Sequence, residues 1–202
     1  LDENSIKYIF VPIIDTENED DFFQYYGDRD KIIDKLDKLD YLKRVDAGFM
    51  DLVAYENNNY KPKIFVENPE NSRIAVEKIS SSHYFIEIES SEEQIILNFS
   101  NSFHPAWDLY AKEYNYLFQK NILVPSEQTK TFAGINSFKI DLEKLAESGL
   151  AKKDNGVYQL SLSLVFTPQK YTYSGVIISL LTLTILIFCL IMIVGKEVFR
   201  KR

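Results

Sequence analysis

The chain has 202 residues, a formal net charge of −7 and a hydrophobic content of 46%. That is enough apolar material for one good core, or one core with a small appended unit. The acidic balance repels phosphate backbones, which excludes nucleic acid as a partner, and two histidines, seven glycines and one cysteine leave little for a zinc site, a phosphate-cradling loop or an intrachain disulfide.

Residues 1–63 read as a small α/β or α+β unit. Ile6, Tyr8 and Phe10 lead into VPII, which predicts a buried strand over 6–14. The run Asp15, Glu17, Glu19, Asp20, Asp21 reads as a solvated acidic turn rather than a calcium loop, since it lacks the glycine and spacing of one. Residues 28–44 predict an amphipathic helix, with Ile32, Ile33, Leu36, Leu39 and Leu42 at helical spacing and Asp28 or Asp30 as its N-cap. Asp28-Arg29-Asp30 matches a metal-binding string of nucleotide-sugar transferases, but capping accounts for it. Gly48 ends the pattern, and MDLVAY predicts a strand. Strand, helix, strand allows either a βαβ crossover or a small α+β unit.

Residues 64–170 read as a β-rich, sandwich-like domain. SRIAVEKIS, HYFIEIES and QIILNFS follow one another as strands. Tyr158, Leu160, Leu162, Leu164 and Phe166 share one face of a late strand, with Gln159, Ser161 and Ser163 on the other. One short helix, DLEKLAESG, has Asp141 as its cap and Gly149 as its stop. Asn98-Phe99-Ser100 is a glycosylation sequon lying inside a predicted strand. The segment SNSFHPAWDLYAKEY carries His104, Trp107, Tyr110 and Tyr114. These are the candidate glycan contacts, because aromatic faces beside polar groups stack on sugar rings. Core packing is the competing role, and it suits Trp107 best.

Residues 171–195 read as a transmembrane helix. Val176 to Val194 contains no charge, and Tyr171 and Tyr173 sit where interfacial aromatics belong. Residues 196–202 form a basic tail with Lys196, Arg200, Lys201 and Arg202, which predicts a cytoplasmic C-terminus and an extracytoplasmic domain. Gly175, Ser179 and Thr182 make a small-residue stripe suited to packing against other helices. Leu1 is not methionine and the first ten residues lack the basic and apolar regions of a signal peptide, so the chain reads either as a processed single-pass protein or as the C-terminal piece of a longer one. No nucleophile, metal or cofactor motif is present, and the expected partners are lipid, neighbouring membrane helices and a glycan.

In order along the chain, IKYIFVP, the helix at 28–44, YEN with PKIF, IILNFSNSFHPAW, GINSFKID and TPQKYTYSGVIISLLTL resemble the C-terminal module of polytopic bacterial membrane glycosyltransferases of the GT-C and arabinofuranosyltransferase-like type. The resemblance implies an extracytoplasmic β-domain and last membrane helix of a lipid-linked-sugar transferase. It carries no catalytic residue onto this chain, since the family's catalytic carboxylate lies in an early loop of a membrane bundle that is not part of this sequence.

Overall fold

The computed structural model describes residues 2–13, 29–48, 52–114 and 121–200, the side chains of the last eight excepted. The architecture is α+β, with three antiparallel sheets and one long terminal helix.

The first sheet is formed by β1 (Tyr8–Pro12), β2 (Leu42–Val45) and β3 (Leu52–Asn57) in the order β1-β3-β2. Every pairing in it is antiparallel, which removes the βαβ option. Helix α1 covers Arg29–Leu36 only, and the predicted continuation to residue 44 becomes a turn and then β2. Helical spacing persists through the break for a physical reason. Leu39, Tyr41 and Leu42 join Ile32, Ile33 and Leu36 around Val11 and Tyr55 in one small core. The turn is fixed by Arg44, which grips Asp37 with two hydrogen bonds of 2.7 and 2.5 Å, while the Tyr55 hydroxyl donates to Asp37 Oδ1 at 2.9 Å. The Arg44 guanidinium holds the Asp37 carboxyl below its ordinary range. Asp30 lies in the first turn of α1 rather than at its cap, and Asp28 and the acidic run at 15–21 fall outside the described residues. Strand β1 is an edge strand, not a buried one. Only Val11 is buried, and Tyr8 and Phe10 are exposed, because only the face carrying Ile9 and Val11 packs on the small core.

The second and third sheets face each other across the main core. The second runs β10 (Ser126–Lys130), β11 (Ile135–Asp141), β7 (Gln94–Ser102), β4 (Ile64–Val66). The third runs β5 (Ser72–Ser80), β6 (His83–Ser90), β13 (Val157–Phe166), β8 (Trp107–Ala111), β9 (Ile122–Leu123), with β12 (Lys152–Asp154) also on β13. Tyr158, Leu160, Leu162 and Leu164 of β13 meet Leu97, Phe99, Phe138 and Ile140 of the opposite sheet in that core. The face alternation of β13 is therefore as the sequence predicts up to Leu162, after which Ser163 and Val165 are buried as well and Phe166 is only half-buried. Asn98 is buried in β7 between β11 and β4, so the sequon is closed in the folded domain.

Helix α2 (Leu142–Glu147) begins as expected. Asp141 accepts the Lys144 N–H at 3.0 Å, and Gly149 takes φ +74°, the left-handed conformation that ends a helix. Helix α3 (Gln169–Arg200) follows β13 after two residues. Within Gln169–Met192 an 18-residue window reaches a mean hydropathy of 2.8 and is 0% buried against the rest of the chain, so the helix is long and apolar enough to cross a membrane and projects away from the sandwich.

Candidate functional site

The four residues singled out around the Pro-Ala-Trp turn separate into three environments. Trp107 is 5% exposed, with its ring edge-on to Phe99 at 4.7 Å and packed on Phe166 at 5.2 Å. A ring enclosed this way offers no face to a sugar, so Trp107 belongs to the core and leaves the set of glycan contacts. His104 is exposed at the end of the sandwich, edge-on to Phe166 at 5.0 Å, and its Nδ1 accepts the Ala106 N–H at 3.1 Å. Tyr110 and Tyr114 come together on the outer face of the third sheet, with ring centroids 4.7 Å apart.

The segment after β8 explains that pairing. Lys112 adopts φ +66° and its carbonyl accepts from Ser163 Oγ at 2.8 Å. The Tyr114 N–H then donates to the same Ser163 hydroxyl at 2.9 Å. The chain thus folds back across β13, and Ser163 and Val165, which alternation assigns to the solvent side, are buried beneath it. Tyr114 also meets His83 edge-on at 6.0 Å. The result is a partly exposed surface of Asp108, Tyr110 and Tyr114 lying over buried His83 and Ser163, drawn from β6, β8, β13 and the returning segment.

Burial sets the protonation of this surface. It pushes the His83 imidazole below its ordinary value, against a smaller opposing effect of Glu113. It raises the Tyr114 phenol, with Tyr110 and Asp108 adding to the effect. Burial thus favours the neutral form of both the His83 imidazole beneath the surface and the Tyr114 phenol on it. Such groups donate and accept hydrogen bonds beside aromatic rings, which suits a polyhydroxylated ligand. Among the described residues, no group of three or more His, Cys, Asp or Glu could hold a metal ion.

The depressed His83 pKa has a measurable consequence. An unfolded histidine takes up its proton near ~6.5, whereas the folded one resists it. The unfolded state then binds more protons, so stability should fall as pH drops below about 6.5. Asp37 and Asp141, whose pKa values lie below the carboxylate norm, act in a separate window below about pH 4. Thermal melts between pH 7 and 5 should show a declining Tm, and His83→Phe should flatten the decline. An unchanged slope in that variant would assign the loss to another group.

A second structural unit joins this surface to α3. The Thr167 N–H donates to Ala106 O at 2.9 Å, the Phe166 N–H to Ser82 O at 2.9 Å, and the Thr167 hydroxyl to Asp108 Oδ2. Buried Asn136 holds the loop above it. Its Oδ1 accepts from the His104 N–H at 3.0 Å and from Gln128 Nε2 at 3.1 Å, and its Nδ2 donates to the carbonyls of Asn101 and Ser102 at 3.0 and 3.2 Å. Sequence reasoning overlooked His83, Asp108, Asn136, Ser163 and Thr167. A polar Asn in an apolar strand was the one signal for Asn136; the others become a group only through strand register.

On α3, Gly175 has open space around it, and the Thr182 hydroxyl donates to Ile178 O at 2.9 Å. The Thr182 hydroxyl thereby has its partner within its own helix. Gly175 and Ser179 lie one turn apart with their surfaces uncovered by any described residue. Comparison with family models, with characterised proteins and with solved structures gives no match for this chain.

Proposed function

We propose that this chain is a non-catalytic recognition module: the extracytoplasmic β-domain and last membrane helix of a polytopic protein of cell-envelope glycan assembly, one that transfers sugar from a lipid carrier. The observation that carries the module reading is the seat at Thr167. Three hydrogen bonds tie the last residue of β13 and the residue after it to Ser82, Ala106 and Asp108, so the domain is held close to the point where α3 leaves it. A tether for a freely swinging domain needs no such bonds. The glycan part rests on the order of sequence motifs and on the Tyr110–Tyr114 surface with its neutral hydrogen-bonding groups.

In this reading the acidic domain faces outward and the basic tail faces the cytoplasm, and Gly175, Ser179 and Thr182 meet other helices of the same protein. Protease added to intact spheroplasts should digest the domain and spare a tag placed after Arg202. The reverse pattern rejects the orientation. The chain in nanodiscs, applied to an array of envelope glycans, should retain a subset of them, and Tyr114→Ala should lose about tenfold in affinity, the effect of about 1.4 kcal/mol. Retention unaffected by Tyr114→Ala and Tyr110→Ala would reject this surface as the contact.

A further inference from the structure

Among the described residues, the hairpin joining β10 and β11 carries the most exposed large apolar side chain. Its tip is Thr131-Phe132-Ala133-Gly134, uncharged throughout, and Phe132 is 109% exposed. The tip is not loosely built. Gly134 turns at φ +80°, its N–H donates to Thr131 O at 3.0 Å, and the Thr131 N–H donates to Ile135 O at 3.1 Å. A single exposed apolar residue is ordinarily unremarkable on a protein surface. Its place in this fold is what gives Phe132 meaning.

The tip lies at the end of the sandwich from which α3 departs. Strand β13 ends at Phe166, which pairs with Trp107, the first residue of β8. The four residues before Trp107 connect it to Ser102, the last of β7. Ser102 pairs with Ile135, and the Phe103 N–H donates to Gly134 O at 2.8 Å. Gln128 of the hairpin donates to His104 O at 3.1 Å, and Asn136 bonds that loop from the other side. The hairpin tip, the 103–106 loop and the start of α3 are thus parts of one hydrogen-bonded rim. Lys130 lies just behind the tip, with its Cε near Gly134. A basic stem behind an aromatic tip lets the ring enter the headgroup boundary while the amine stays among phosphates.

We infer that the β10–β11 hairpin is a second membrane contact, with Phe132 seated in the lipid interface of the same bilayer that α3 crosses. The domain then rests on the membrane at two points, the helix and the hairpin, which fixes its rotation about the α3 axis as a single anchor does not. The inference needs only that α3 spans a bilayer and is independent of any glycan role.

The test uses the full chain in vesicles containing lipids brominated near the headgroup, with tryptophan as the probe. Trp107 supplies a constant, core-buried background. Phe132→Trp adds an aromatic probe at the tip at little structural cost. Glu70→Trp adds one in the β4–β5 connection, at the opposite end of the sandwich. The added emission of Phe132→Trp should be blue-shifted in vesicles relative to detergent and largely lost with brominated lipid, while that of Glu70→Trp stays unquenched and red. Equal, weak quenching at both positions would overturn the inference. So would a blue-shifted Phe132→Trp signal that brominated lipid leaves intact, since that result places the tip against protein.

Discussion

Trp107→Ala is expected to lower the unfolding free energy of the domain by about 3–5 kcal/mol, as truncation of a large buried aromatic does. Trp107 stands at the centre of an aromatic group in which Phe99, Phe166 and Tyr84 lie at centroid distances of 4.7, 5.2 and 6.4 Å. Removing the indole opens a cavity between the two sheets and also takes the support from under Phe166, three residues before α3 begins. A domain of this size is stable by only about 5–15 kcal/mol in total, so this variant should melt far below the parent chain. Trp107→Phe keeps most of the volume and should recover more than half of the loss. Equilibrium denaturation of both variants in nanodiscs decides the matter. A midpoint for Trp107→Ala close to that of the parent would show that the ring is not part of the core.

Asn136→Ala should cost about 2–4 kcal/mol, because it removes four part-buried hydrogen bonds and leaves the Asn101 and Ser102 carbonyls and the His104 N–H without this partner. The loss differs in kind from that of Trp107. Its side chain bonds to Asn101, Ser102, His104 and Gln128, which no other single residue connects. Amide exchange at Phe103 and His104 should therefore accelerate more than exchange in β6 or β13. Asn136→Asp retains the acceptor but loses the donor, and should protect the His104 amide while releasing the carbonyls of Asn101 and Ser102. Uniform acceleration across all strands would instead mark Asn136 as an ordinary core position.

Much of the fold was legible where one physical signal dominated. Strand β13 announced itself by strict alternation, α2 by its cap and stop residues, and α3 by nineteen uncharged residues. The helix predicted over 28–44 failed at Leu36 because apolar residues of a turn and of β2 continue the same spacing into the same small core. Periodicity reports which side of the chain is buried, and it is silent on a change of backbone conformation that preserves the buried side. The exposed character of β1 was missed for a related reason, since a run apolar at both alternating positions does not reveal which of its faces packs on a core. The candidate surface was half legible. Tyr110 and Tyr114 could be named from their spacing, but their union with His83, Asp108 and Ser163 depends on long-range register and on a left-handed residue at Lys112. No local signal in Lys-Glu-Tyr reveals that turn.

The position of β13 decides how the domain bears load. It is the strand that continues into α3, and it lies between β6 and β8 with ladders on both sides. Tension along α3 enters β13 at its end and runs along its length. Both ladders are then sheared together rather than opened one bond at a time. A strand loaded in this way yields only when many hydrogen bonds break at once. A pull from the membrane should therefore meet its greatest resistance here, and the small N-terminal sheet, which lies outside that line, should carry almost none of it.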